Sequence, residues 1–266
     1  MTPAALQTGM VSITFRNLSP QQILDLVQQA GQQGVEWGGD VHVPHGDVAQ
    51  AERVGRMTRE AGLAVAAYGS YYRAGEREKN PEPAAVLDSA EALGAPTIRI
   101  WAGKQASAAA SAEYRARVLS DVEALCAGAA ERGLRVAFEY HGQTLTDSIP
   151  AAVSLLEALP LENLDTLWQP PNGQSLAYCL TSLRSVMDRV SNVHVFHWGK
   201  GWGDRYALAD GADRWIPYFQ TIATLPGSRW ALMEFVKGDD PAQYLEDAAV
   251  LRQWLDSLRG PTENKG

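Results

Sequence analysis

The sequence has little cysteine, little histidine and too few basic residues to balance its acidic ones. Its 266 residues include two cysteines and five histidines, and 23 Lys plus Arg against 31 Asp plus Glu give a formal net charge of −8. An acidic chain has no broad affinity for the phosphate backbone of nucleic acid, which excludes a basic nucleic-acid-binding protein. Cys126 and Cys179 cannot build a disulfide framework, and neither belongs to a CxxC pair or a zinc-finger pattern. We expect both to be buried as small apolar side chains.

Long apolar runs are also missing. No stretch approaches the roughly 18 consecutive apolar residues of a membrane span. Residues 1–10 lack the basic run and apolar segment of a secretion signal. We therefore expect a cytoplasmic protein with no membrane partner. The remaining composition, 45% hydrophobic and 20% charged, is typical of a globular protein with a substantial core.

Short apolar runs rich in β-branched residues alternate with longer amphipathic segments, which predicts strands and helices in turn. Eight strands are predicted, at residues 9–15, 34–37, 63–68, 97–101, 134–140, 164–168, 193–197 and 230–236. Ser19, Pro20 and Gln22 have the pattern of a capping box at the start of the first helix. Glycine precedes several strands and is expected to end the helix before each, at Gly34, Gly62, Gly94 and Gly133.

The even spacing of these strands, with no Gly/Ser-rich linker between them, indicates one domain. An open doubly wound sheet would carry a glycine-rich phosphate loop after its first strand, where this chain has Thr14-Phe15-Arg16-Asn17. We therefore predict an α/β fold consisting of a single (β/α)8 TIM barrel over residues 1–260. Residues 261–266 are polar and are predicted to form a disordered tail.

In such a barrel the chemistry lies at the carboxyl ends of the strands, and two carboxylates stand out there. Glu139 and Glu234 each end an apolar run, and a buried carboxylate needs a basic partner or a metal ion. Together with Gln169 and His194 they form an oxygen and nitrogen donor set that suits a hard divalent cation. His194 should face the barrel interior if its valine neighbours face the helices, whereas His197 falls in the following loop. Pairing of both glutamates with Arg or Lys is the alternative interpretation.

Aromatic and basic side chains accompany these residues at the predicted strand ends. Indole rings stack on sugar rings and exclude water, and basic groups recognise anionic or polyhydroxylated molecules. The candidate substrate contacts are Trp37, His42, Tyr68, Arg99, Trp101, His141, Trp168, His197, Lys200 and Arg205. The alternative is that the indoles merely fill the top of the barrel and that some basic residues only face solvent.

The pattern resembles the sugar phosphate isomerase/epimerase superfamily, the xylose-isomerase-like barrels that include ketose 3-epimerases and inosose dehydratases. Glu139 in Ala-Phe-Glu-Tyr-His, His194 in Asn-Val-His-Val-Phe and Glu234 in Leu-Met-Glu-Phe-Val carry the resemblance. It implies one divalent metal held by Glu, Asp, His and Glu from strands five to eight. The Asp position is Gln169 here, which ligates without charge. Mn²⁺ or Mg²⁺ is expected, with Zn²⁺ or Co²⁺ as alternatives.

The resemblance implies a metal-dependent isomerase or epimerase of a ketose-type sugar or polyol. Glu139 and Glu234 would be its acid/base pair, acting through an enediolate. An inosose-type dehydratase on the same metal site, with His141 or Lys200 as its acid, is one alternative. A non-catalytic sugar-binding barrel is the other, and Gln169 motivates it. The sequence leaves the substrate and the oligomeric state open, a homo-oligomer included.

Overall fold

Eight parallel strands close into a barrel in the part of the chain that the structure describes. The structure is a computed structural model, and it describes residues 5–258 apart from 77, 79 and 202. The strands are β1 (Ala5–Val11), β2 (Gly34–Gly38), β3 (Ala64–Arg73), β4 (Thr97–Trp101), β5 (Arg135–Glu139), β6 (Leu164–Trp168), β7 (Val190–Val195) and β8 (Ser228–Met233). Each pairs in parallel with the next, and β1 pairs with β8, so the barrel has no open edge.

A helix follows each strand and covers the outside of the barrel. The helices are α1 (Pro20–Gln29), α2 (Val48–Glu60), α3 (Pro83–Leu93), α4 (Ala112–Ala130), α5 (Ile149–Ala158), α6 (Leu176–Ser185), α7 (Ala212–Ile222) and α8 (Pro241–Leu258). The prediction of a single (β/α)8 barrel is confirmed. The predicted tail at residues 261–266 lies outside the described residues. Within the described ranges, none of the helices has the length and apolarity to cross a membrane.

Local signals explain where several helices begin and end. At α1 the Ser19 side chain accepts from the backbone N–H of Gln22, whose side chain in turn accepts from the backbone N–H of Ser19, as a capping box requires. Gly94 ends α3 in the left-handed region at φ 77°, as predicted. The prediction for Gly34 is wrong, because Gly34 lies within β2 and the left-handed residue after α1 is Gly31.

Several strand boundaries also differ from the prediction: β3 extends to Arg73, beyond the predicted end at residue 68, and β8 ends at Met233 instead of residue 236. The first strand is Ala5–Val11, and Ser12–Phe15 forms a 3₁₀ turn instead of continuing it. The seventh strand begins at Val190, three residues before the predicted start. The early parts of β1 and β7 contain polar residues such as Thr8 and Asn192, which hide them from an apolar pattern. Pairing with neighbouring strands extends these strands where the residue pattern does not.

The core has two parts, as expected for a barrel with helices around it. The large part lies between strands and helices and includes both cysteines, Cys126 and Cys179, which are buried and unpaired as predicted. The small part fills the barrel interior with side chains such as Val11 and Leu232. Above it, towards the carboxyl ends of the strands, polar side chains replace the apolar ones.

Candidate active site

A cavity of about 550 Å³ opens at the carboxyl end of the barrel. Its polar lining includes Arg99, Glu139, Gln169 and Glu234, from four different positions around the barrel wall. Its aromatic lining includes Tyr71, Trp101, Phe196, Trp198 and Phe235. Buried charge next to apolar walls is the usual composition of a site that binds a small molecule.

Glu139, the last residue of β5, is buried and held by three donors from neighbouring strands. Its Oε2 accepts from Arg99 Nη1 and from Trp101 Nε1 at 2.7 Å, and its Oε1 accepts from Gln169 Nε2 at 3.0 Å. Burial alone would raise the pKa of Glu139, but the Arg99 guanidinium and nearby imidazoles lower it. Glu139 is therefore a fixed, ionised carboxylate.

His194 lies inside the barrel between two carboxylates. It is wholly buried on β7, with Nδ1 3.4 Å from Glu234 Oε2 and Nε2 3.2 Å from Glu36 Oε2. Burial alone would lower the pKa of His194, but the charges of Glu234 and Glu36 raise it to about 10. The prediction that His194 faces the interior is confirmed. His197 lies beyond the end of β7, as expected.

Glu36 is a part of this cluster that the sequence reasoning missed. This wholly buried residue of β2 accepts from Arg99 Nε at 2.7 Å and contacts His194. Burial would raise the pKa of Glu36, but His194 and Arg99 lower it to about 2. The signal was present, because Glu36 is a carboxylate within an apolar strand, like Glu139. Glu36 lies on β2, whereas the candidate metal ligands were all taken from strands five to eight.

The donors of this cluster fit a divalent cation. Glu139, His194 and Glu234 are all buried, and each offers a ligand atom within 4.8 Å of the others. Gln169 Oε1 is buried without a hydrogen-bond partner among the described residues. The amide cannot be turned round, because Glu139 is an acceptor and requires the Nε2 side. An unpaired buried carbonyl oxygen beside two carboxylates and an imidazole is the arrangement that a cation would satisfy.

Three of the ten predicted substrate contacts line the cavity, namely Arg99, Trp101 and His141. The Trp101 and His141 rings lie 5.7 Å apart on the same wall. Tyr71 packs edge-on against Trp101, with ring centroids 5.1 Å apart. These rings present an apolar surface next to the buried charges.

Four predicted contacts are buried away from the cavity lining. Trp37 donates to Thr58 of α2, Trp168 donates to Ser182 of α6, and Tyr68 donates to the Val43 carbonyl. His42 bonds to Ser12 and to the Leu18 carbonyl. The cause is the alternation of side chains along a strand, since Trp37 follows the inward Glu36 and therefore faces a helix. For these indoles the structure favours the packing interpretation.

The last three predicted contacts lie beside the main cavity. His197 and Lys200 line an adjoining cavity of about 150 Å³. Arg205 pairs with Asp239 and places its guanidinium 4.7 Å from the centre of the Phe235 ring. Arg205 therefore packs against Phe235, one of the rings that line the main cavity.

Two residues of the aromatic lining adopt a strained backbone that the sequence did not reveal. Tyr71 and Phe235 have φ angles of 58° and 48°, in the left-handed region that non-glycine residues rarely enter. Such strain persists where the surrounding structure enforces it, and it is frequent at binding sites. No sequence pattern marks an aromatic residue for this conformation.

The comparisons with known proteins agree with the barrel fold. A sequence profile for xylose isomerase-like TIM barrels matches residues 24–254. No curated protein sequence matches the chain significantly.

Three solved structures with the same fold show the range of relatives. The probable 3-DHS dehydratase of Bacillus anthracis is 16% identical with a TM-score of 0.78, covering 93% of this chain and 99% of that one. A xylose isomerase-like TIM barrel protein of Mycobacterium smegmatis, in complex with magnesium, is 13% identical with a TM-score of 0.71, covering 97% and 98%. The 3-keto-D-glucoside 4-epimerase of E. coli is 18% identical with a TM-score of 0.67, covering 95% and 99%. The structural likeness shows the shared fold, and because the profile spans most of the chain, this protein belongs to the xylose isomerase-like TIM barrel family.

Proposed function

We propose that the protein is a divalent-metal-dependent isomerase or epimerase of a ketose-type sugar or polyol. The observation that carries the proposal is the buried group Glu139, His194 and Glu234, whose ligand atoms lie within 4.8 Å of one another beside a cavity of about 550 Å³. A cavity of this size holds a small sugar.

Glu139, Gln169, His194 and Glu234 would hold the metal, which we expect to be Mn²⁺ or Mg²⁺, with Zn²⁺ or Co²⁺ as alternatives. When bound, the cation supplies Lewis-acid polarisation of a carbonyl and its neighbouring hydroxyl. Trp101 and His141 are proposed as substrate contacts because they line the cavity. His197 and Lys200 are proposed to contact a substrate group that extends into the adjoining cavity.

The two glutamates suit an exchange of protons at a carbon next to a carbonyl. Two strands, β6 and β7, separate the strand that ends at Glu139 from the one before Glu234, so the carboxylates approach the cavity from different parts of the wall. One can remove the proton from the substrate carbon next to the carbonyl, which forms a planar enediolate, and the other can return a proton to the opposite face of that carbon. Trp101 and Gln169 orient Glu139, and the aromatic walls exclude water from the transfer.

A dehydratase is the second candidate. His141 lines the cavity next to Trp101 and can protonate a leaving hydroxyl, and the Bacillus anthracis relative carries the name of a probable dehydratase. The two reactions share the first proton abstraction and differ in whether the hydroxyl leaves.

Incubation of the metal-loaded protein with candidate ketoses and inososes in deuterated water separates the hypotheses. Deuterium next to the carbonyl without loss of water supports epimerisation, and an unsaturated product supports dehydration. We expect Glu139→Gln and Glu234→Gln each to lower the rate by about 10²–10⁴-fold, the usual contribution of a general acid or base. Glu157→Gln, the same change on the exposed face of α5, is the matched control. Sugar binding that is unchanged in Glu139→Gln, with no turnover and no bound metal, would indicate a non-catalytic barrel.

A further inference from the structure

We propose that Arg99 is a fixed electrophile that donates an Nη2 N–H to the oxygen on which the substrate develops negative charge, and that Glu36 and Gly69 position it. The inference rests on the proposed proton-transfer function and deepens it. It adds to the site a cation that belongs to the chain itself.

Arg99 has a buried donor left over. Its guanidinium carries five N–H donors and borders the cavity, although only 2% of the side chain is exposed. Nε donates to Glu36 and Nη1 to Glu139, but Nη2 has no hydrogen-bond partner among the residues that the structure describes. A buried guanidinium N–H without an acceptor is costly, so a bound ligand that offers an oxygen would be favoured here.

Glu36 is the reason that Nη2 stays free. Arginine and carboxylate commonly form two parallel hydrogen bonds. Here Glu36 Oε1 takes Nε, while Glu36 Oε2 lies 3.2 Å from His194 Nε2 and is engaged there. With Nε held by Glu36, Arg99 also bonds to Glu139 through Nη1 alone. Glu36 is thus a positioning residue that keeps Arg99 between the two carboxylates.

Gly69 on β3 supplies the necessary space. A Cβ atom at this position would lie 2.6 Å from Arg99 Nη2 and 2.9 Å from Glu36 Oε1, closer than such atoms can approach. The absence of a side chain therefore permits the pair to occupy the centre of the barrel. The Tyr71 and Trp101 rings lie 5.4 and 5.5 Å from the guanidinium carbon and shield it from water.

The chemistry needs a donor of this kind. When a glutamate takes a proton from the carbon next to a carbonyl, the C–H electron pair moves to form the C=C bond of the enediolate and the carbonyl π pair moves to its oxygen. Arg99 stays protonated throughout, because a guanidinium does not give up its proton in proteins. Its Nη2 N–H only stabilises the charge on that oxygen, and no bond to Arg99 forms or breaks.

The test uses glycolohydroxamate, a planar analogue of an enediolate, with full-length protein after removal of metal by EDTA. Binding is measured by calorimetry. We expect Arg99→Lys and Glu36→Gln each to weaken it by about 10–100-fold, the effect of losing a hydrogen bond to a charged group. Arg132→Lys, at a surface ion pair with Asp88, is the matched control and should bind like the wild type. Failure of the metal-free wild type to bind the probe would overturn the proposal, and so would normal binding by Arg99→Lys.

Chemical rescue separates a direct role from a structural one. Methylguanidinium should restore probe binding to Arg99→Ala and should do nothing for Glu139→Gln. If a substrate is turned over, Glu36→Gln should lower kcat with little change in KM, because the lost interaction strengthens only as charge develops. If Glu36→Gln instead changes kcat and KM together, and only to the extent that it lowers the free energy of unfolding, the positioning role would be contradicted. Probe binding that depends on Arg99 while no ketose or inosose reacts would refute the proposed reaction and leave the anion site standing.

Discussion

At the scale of single residues, Gln169 shows how an amide in place of the expected aspartate changes the balance of charge in the site. An aspartate here would add a third carboxylate next to Glu139 and Glu234, whereas the Gln169 amide donates to Glu139 through Nε2. The amide thus stabilises the cluster when no cation is present, and its Oε1, unpartnered among the described residues, would be a neutral ligand in the proposed metal site. We expect glutamine in place of aspartate to weaken metal binding and to raise the stability of the metal-free fold.

Gln169→Asp should reverse both effects. Calorimetric titration with Mn²⁺ should show binding tighter by about tenfold, which corresponds to 1.4 kcal/mol. The metal-free variant should be less stable to urea by about 1–3 kcal/mol, because it loses a donor to a buried charge and gains a like charge. Gln169→Ala, which removes ligand and donor together, is the control and should weaken metal binding. Weaker Mn²⁺ binding by Gln169→Asp would contradict the ligand role of this position.

His42 links stability to pH through its burial. Its ring bonds to Ser12 Oγ and to the Leu18 carbonyl, and burial lowers the pKa of His42 below its ordinary value of 6.5, against the opposing effects of the Leu18 carbonyl and of Asp40. Since the folded state holds the neutral ring, its contribution is fully present above pH 6.5 and is lost as pH falls through the lower folded pKa. Urea unfolding between pH 8 and about 5 should show this loss, and His42→Gln should reduce the slope. An unchanged slope in the variant would contradict the assignment.

At the scale of elements, alternation along each strand decides which side chains reach the cavity. Glu36 faces the barrel interior and Trp37 faces α2, so a carboxylate and an indole at adjacent positions have opposite roles. The same alternation predicted that His194 faces the interior, where the structure places it. The same rule, applied to Trp37 and Trp168, would have removed them from the candidate contacts.

The capping box of α1 permits a prediction for one element. Ser19→Ala removes the side chain that accepts from Gln22 and should lower the free energy of unfolding by about 1 kcal/mol. Urea denaturation measures this loss. Ser154→Ala, an exposed position within α5, is the matched control and should be neutral or slightly stabilising because alanine favours helix. A loss of stability equal in both variants would contradict the capping contribution.

At the scale of the whole molecule, the barrel brings together residues that are far apart in the chain. Glu36 and His194 are 158 positions apart, yet their side chains meet because β2 and β7 face the same interior. The proposed metal ligands come from the ends of β5, β6 and β8 and from within β7, so a bound cation would tie half of the barrel wall together.

Metal binding should therefore stabilise the entire fold. Mn²⁺ at a hundred times its dissociation constant should add about 2.7 kcal/mol to the free energy of unfolding, which a higher Tm by calorimetry would show. EDTA should reverse the increase. Glu234→Gln should reduce it, whereas the surface change Glu157→Gln should retain it. An equal increase in Glu234→Gln would place the cation elsewhere.

Local sequence patterns are enough to predict the barrel, most strand positions and the burial of Glu139, His194 and Glu234. These features depend on local periodicity and on the rule that a polar residue in an apolar strand needs a partner. Only the folded barrel shows that Glu36 and Arg99 join this cluster and that Tyr71 and Phe235 have strained backbone angles beside it. Those contacts join strands and loops that are distant in the chain, and their geometry depends on closure of the barrel, which no local pattern contains.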